Sequence, residues 1–142
     1  MQIWAGNDLT VNQLNKRGEN SLGSFLGIIF TEVGDDFMVA TMPVNEKTRQ
    51  PIGIMHGGAS CVLAETVGST AANYCVDIEK QYCVGLDINT NHIRSIKEGI
   101  VIAKATPFHI GKSTHVWSII IKNEDDKMIS VNRLTMSVLT RK

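Results

Sequence analysis

The segment "GGASCVLAETVGSTAANYCV", Gly57 to Val76, limits the fold more than any other part of the chain. It carries one charged side chain, Glu65. It is too long for a strand, and its apolar residues recur at helical spacing: Ala59, Val62, Leu63, Thr66, Val67, Thr70 and Tyr74 fill one broad face. The opposite arc holds Cys61, Ala64, Glu65, Gly68, Ser69, Ala72 and Cys75, mostly small residues that let another backbone come close. A helix apolar or small all round is predicted to be covered on both faces, and so central rather than peripheral. Burying Glu65 there is costly unless something neutralises or uses the carboxylate.

The remaining segments supply the cover. "LTVNQLNKRGEN" (Leu9 to Asn20) reads as a short amphipathic helix with Thr10 as N-cap and Val11 and Leu14 on one side. "SLGSFLG" follows as a turn or short second helix, so residues 1–26 form an N-terminal helical segment. "IIFTEV" and "FMVATMPV" read as strands joined by Gly-Asp-Asp, and "NEKTRQPIG" as a polar loop. After the long helix come four more strands. "YCVGLDINTNH" has Val84, Leu86 and Ile88 alternating onto one face; "GIVIAKATPFHI", "THVWSIIIK" and "MISVNRLTMSVL" complete the set. Two strands, a buried helix and four strands predict an α+β domain spanning 1–142, with a curved antiparallel sheet wrapped around the helix. Such a sheet leaves an exposed edge, and edge-to-edge pairing across a two-fold would remove it. A homodimer with its helices close together is the expected assembly.

Composition narrows the function. A chain of 142 residues is one ordinary domain, and 43% hydrophobic with 20% charged residues is globular. Formal net charge is zero, which argues against a nucleic-acid binder or a membrane-surface protein. Three cysteines, Cys61, Cys75 and Cys83, without C-x-x-C, are neither a disulfide framework nor a zinc module. Reduced thiols, an N-terminus without a basic n-region, and no long uninterrupted apolar run predict a cytoplasmic protein with no membrane span.

The chemistry gathers around the helix start. His56-Gly57-Gly58 stands where the first N–H groups have no intrahelical partner and the dipole favours negative charge. Two glycines admit a ligand to that backbone, and together these are the parts of an oxyanion hole. Glu65, two to three turns on, is a candidate nucleophile or general base, its pKa raised by desolvation. Ser69, at i+4, is a candidate partner for it. Gln50, in the preceding loop, is placed to orient a water or a substrate carbonyl. The alternative is that Glu65 only pairs with a cation, Arg94 or Arg133. His56 alone suits a helix-start hydrogen bond better than a general base. His92, His109 and His115 lack metal-binding spacing, and no P-loop, G-x-S-x-G or G-x-G-x-x-G is present.

"QPIGIMHGGASCVLAETVGS" resembles the hot-dog fold acyl-CoA thioesterases. The resemblance is to the branch containing the 1,4-dihydroxy-2-naphthoyl-CoA hydrolase of menaquinone synthesis and the proofreading thioesterase of enterobactin synthesis. Phenylacetyl-CoA thioesterases are more distant. "VGLDINTNHIRS", "ATPFHIGKSTHVW" and "RLTMSVL" also look like that branch, so the likeness spans nearly everything after Leu22. The resemblance implies a hot-dog fold, dimers with active sites at the interface, and often a homotetramer of two dimers. It implies Glu65 as the catalytic carboxylate, His56 and Gly57 as the histidine and oxyanion-hole glycine, Gln50 as the polarising glutamine and Ser69 as the polar helix residue facing the site. It further implies that Val84, Asn91, His92, Ile93 and Arg94 line the substrate, and that Phe108, His109, Ile110, Gly111, Lys112 and Ser113 approach the nucleotide. Arg94 and Lys112 suit phosphates, and Gly111 gives backbone access. Coenzyme A is part of the substrate, and no metal or redox cofactor is required.

The expected reaction is hydrolysis of an acyl-CoA with an aromatic or 2-hydroxyaryl group. Rival readings are a thioesterase for acyl-carrier-protein thioesters or medium-chain acyl-CoA, and a non-catalytic acyl-CoA binding module. A dehydratase on the same fold is disfavoured, because the H-G-G plus a downstream helical Glu matches the hydrolases.

Overall fold

The computed structural model describes residues 1–6 and 8–142. Thr10 caps α1 (Val11–Arg17) through a capping box with Gln13, and Gly18 closes the helix, so it is shorter than its amphipathic pattern. The one-turn α2 (Leu22–Phe25) follows. The strands β1 (Ile29–Val33) and β2 (Met38–Pro43) form an antiparallel pair. The long helix α3 (Gly57–Tyr74) then leads to β3 (Gln81–His92), β4 (Ile100–Ile110), β5 (Thr114–Asn123) and β6 (Met128–Thr140). Every pairing is antiparallel, and the strand order is β1-β2-β4-β5-β6-β3. This is the expected α+β architecture, a sheet packed around one long central helix.

The core lies between α3 and the sheet. Leu63, Val67, Trp117, Ile119, Ile121, Leu134 and Met136 are fully enclosed there. The buried side of α3 draws on both arcs: Ala59, Leu63 and Val67 of the apolar face with Ala64, Gly68 and Ala72 of the small-residue arc, joined by Ser60 and Ala71. A Cβ on Gly68 would meet Leu134 Cδ2 at 2.7 Å and Ile119 Cδ1 at 3.0 Å, so the absent side chain sets how closely the helix approaches. Val62, Thr66, Thr70 and Tyr74 are only half-buried. Thr66 faces α2, where its methyl lies 3.4 Å from the position of a Cβ on Gly23. Large branched residues on the sheet side would hold the helix away from strands that already present Ile, Leu and Trp.

The third face of α3 lies along β3, the last strand of the sheet. The Cys61 thiol bonds Thr90 Oγ1 at 3.3 Å, and the Asn73 amide takes both the N–H and the C=O of Cys83 at 2.8 and 3.1 Å. Val84, Leu86 and Ile88 do not form a buried face as their alternation predicts. Leu86 is the extra residue of a bulge between Gly85 and Asp87, and Val84 and Leu86 are 39% and 63% exposed. The reason is position: β3 is an edge strand, so nothing in this chain covers it.

Candidate active site

The loop 45–56 folds back on itself to deliver Gln50 to the helix start. The buried Thr48 donates its hydroxyl to the Pro43 carbonyl at 3.0 Å and accepts the His56 N–H on its own carbonyl at 2.7 Å. Gly53 takes a φ of +89°, a conformation glycine adopts without strain, and this turns the chain back toward α3. The Gln50 side-chain oxygen accepts the Ile52 N–H at 2.6 Å, which leaves its amide N–H groups to donate elsewhere.

His56 is the N-cap of α3, and its Nδ1 accepts the Gly58 N–H at 2.8 Å. That nitrogen is occupied, and the ring is exposed. His56 therefore shapes the helix start, as its position in the sequence suggested. The Ala59 N–H bonds the His56 carbonyl at 2.9 Å. Among the described residues the Gly57 N–H has no protein acceptor, so it is the free donor of the first turn. A side chain at Gly57 would strike the His92 imidazole, whose Nε2 lies 2.8 Å from the Cβ position. Gln50, Gly57, His92, Ile93 and Arg94 border one cavity of about 270 Å³, together with Ser60 and apolar walls that include Met55, Ile96 and Ile129. Five of the residues predicted from sequence are thus brought together around the free N–H.

Glu65 stands elsewhere on the helix. It is half-buried in the single chain, less enclosed than its apolar surroundings predicted. Its carboxylate lies directly against Gly85, where a Cβ would collide with Oε1. Among the described residues it forms no ion pair, and Arg133 stacks 5.9 Å from the Phe108 ring instead. The reading of Glu65 as a buried partner of Arg94 or Arg133 is not what the structure has. Gly85 is the site residue that sequence reasoning missed. The only signal was a glycine interrupting an otherwise regular strand pattern, which marks a bulge or a close approach.

Eight residues of helix separate Gly57 from Glu65, a rise of about 12 Å. Ser69, one turn beyond Glu65, borders a separate cavity of about 340 Å³ between α3 and the α1–α2 segment. Val84 is exposed beside Gly85, and the Asn91 amide donates to Asn89 Oδ1 at 2.9 Å. Phe108, His109 and Ile110 end β4, and Gly111, Lys112 and Ser113 form the β4–β5 turn, held by the Gly111 N–H on the Thr114 carbonyl at 2.9 Å. The register places this turn far from the cavity within one chain. Thr114 aligns through Ser137 with Val84, whereas His92 aligns with Ser130, seven residues or about 23 Å along β6. Among the described residues no cluster of three or more His, Cys, Asp or Glu could hold a metal ion, and no helix is long and apolar enough to cross a membrane.

A helix-start N–H donor in a lined cavity and an unpaired carboxylate on the same helix are the two halves of an acyl-transfer site. Residues 52–130 match the thioesterase superfamily. The 1,4-dihydroxy-2-naphthoyl-CoA hydrolase of Escherichia coli K12 is 45% identical over 137 residues, 96% of this chain and 99% of that one. The crystal structure of a mutant thioesterase from Pseudomonas aeruginosa superposes with a TM-score of 0.95 at 44% identity, covering 99% of this chain and 100% of that one. Two structures of one Staphylococcus aureus protein, named a thioesterase in one of them, superpose at 0.82 and 0.80, each 41% identical. They cover 84% and 82% of this chain, and 99% and 97% of theirs. One carries a glutamate-to-alanine change and the other a glutamine-to-alanine change fifteen positions earlier. The chain belongs to the thioesterase superfamily, has the hot-dog fold and is a thioester hydrolase.

Proposed function

We propose that this protein hydrolyses aromatic acyl-CoA thioesters, with hydroxyaryl groups of the 1,4-dihydroxy-2-naphthoyl type as the preferred substrates, at sites shared between two cytoplasmic chains. The observation that carries the reading is the pair formed by the free Gly57 N–H and the unpaired Glu65 carboxylate. The E. coli relative's name supplies the acyl class. The two substituted positions of the Staphylococcus aureus protein have the same separation as Gln50 and Glu65.

A thioester carbonyl carbon, its oxygen on a donor and its attacking water on a base spans about 6 Å at hydrogen-bond distances. Within one chain Glu65 lies against Gly85 and Gly57 lies against His92, seven residues or roughly 20 Å apart along β3, too far for both to serve one carbonyl. Antiparallel pairing of β3 with its copy, about a two-fold near Ile88 or Asn89, sets Gly85 opposite the partner's His92 to within a residue. Gly85 faces Glu65 and His92 faces Gly57, so both lie on the helix side of the sheet. The pairing thereby joins Glu65 of one chain to Gly57 and Gln50 of the other. It also covers Val84 and Leu86, and brings the Lys112 turn to within about three strand spacings, ~14 Å, of the partner's cavity. Arg94 and Lys112 would then hold coenzyme A phosphates from the two sides.

In the reaction the carbonyl oxygen sits on the Gly57 N–H with the Gln50 amide beside it. Glu65 takes a proton from water as the water oxygen attacks the carbonyl carbon; the C–S bond breaks, and the thiolate leaves with that proton. Direct attack by Glu65 through an anhydride uses the same carboxylate. Replacing Glu65 by Gln removes the base with little change in shape. Release of coenzyme A from aryl-CoA is expected to fall at least about a hundredfold. Equal rates for the two proteins would sink the reading.

A further inference from the structure

Ser60 is fully buried, and its hydroxyl has no hydrogen-bond partner in the protein. A helical serine usually turns its hydroxyl to the carbonyl four residues back, as Thr70 does to Thr66 at 2.7 Å. Ser60 does not. An unsatisfied buried hydroxyl is unfavourable, and alanine would favour the helix more, so packing gives no reason for serine here. Ser60 borders the cavity that contains Gly57, among walls supplied by Ile54, Met55, Ile96 and Ile129. It follows Gly57 by three residues on the same side of α3, a rise of about 4.5 Å.

We infer that Ser60 is a specificity-determining residue, whose hydroxyl bonds a polar group carried by the acyl moiety in the cavity beside Gly57. The reading rests on the thioesterase function proposed above. With the carbonyl oxygen on the Gly57 N–H, a flat ring entering the ~270 Å³ chamber sets its near substituents about one helical turn further along, beside Ser60. The apolar walls enclose the ring, and Ser60 is the buried group among them able to donate to or accept from a ring hydroxyl. The ligand class is therefore an aryl-CoA bearing a hydroxyl close to the thioester carbonyl.

The test compares kcat/KM for 2-hydroxybenzoyl-CoA and benzoyl-CoA in the wild type and in Ser60→Ala. The ratio favouring the hydroxylated ester is expected to drop about tenfold or more, with the loss falling on that ester. Thermal unfolding of the variant is expected at the wild-type temperature or above, because no protein hydrogen bond is removed. An unchanged ratio overturns the inference. A loss shared equally by both esters also overturns it, and would assign Ser60 to the pantetheine arm or to structure. Failure of the wild type to cleave either ester would overturn the aryl-CoA reading as well, which separates the two cases.

Discussion

Glu65 and Gly85 meet from distant parts of the chain. The carboxylate occupies the space a side chain on β3 would take, so its aim depends on that side chain's absence. Gly85→Ala is expected to lower kcat about tenfold or more with a smaller effect on KM, because misplacing a reacting group by an ångström is costly. Gly85 is exposed in the chain, so the urea midpoint should move little. Unchanged kcat would show that Glu65 reaches its station without Gly85. Cys75 and Cys83 do not compete with this chemistry. All three are free, and Cys75 is pushed up to about 12 by burial and then by neighbouring Cys83, so its thiol keeps its proton under assay conditions. Burial raises Cys83 in the same direction.

At the scale of the element, α3 has three jobs on three faces, and small residues separate them. One face meets the sheet at Gly68, another meets β3 through Cys61, Glu65 and Asn73, and the third meets the N-terminal helices near Thr66. Gly68→Ala tests the first. The added methyl overlaps Leu134 and crowds Ile119, which costs about 1–3 kcal/mol. The better helix propensity of alanine returns at most about 1 kcal/mol. A net loss of roughly 1–2 kcal/mol in urea unfolding is expected, and a stabilised variant would contradict the close approach.

For the whole molecule, the proposed pairing of two chains makes each chain half of two sites. Glu65→Gln and Gln50→Ala should each be weakly active alone. Unfolding and refolding them as an equal mixture gives mixed dimers with one doubly substituted site and one intact site. About a quarter of wild-type activity should return if the two residues come from different chains. No recovery above the average of the two variants would place both residues in one chain's site. The β3 edge, with Val84 and Leu86 exposed, is the surface such a dimer covers.

The order of elements, the buried helix and the helix-start chemistry were all legible in the residues. Helical spacing, strand alternation and H-G-G are local patterns, and local sterics and capping enforce them. The resemblance added the residues on β3 and the β4–β5 connection, and gave Gln50 and Ser69 their roles. Three things were not legible. Which residues of α3 meet the sheet was left open, and close packing selected Leu63 and Val67 together with Ser60, Ala64 and Gly68 while leaving Val62, Thr66 and Tyr74 half-buried. The vacancy at Gly85 and the orphan hydroxyl of Ser60 depend on neighbours far away in sequence. The two to three helical turns between Gly57 and Glu65 were legible, but not that β3 sets them against His92 and Gly85, seven residues apart on one strand. The sequence alone determined the fold class and the chemical groups; only the tertiary structure decided which groups can meet, because meeting depends on strand register and helix approach rather than spacing along the chain.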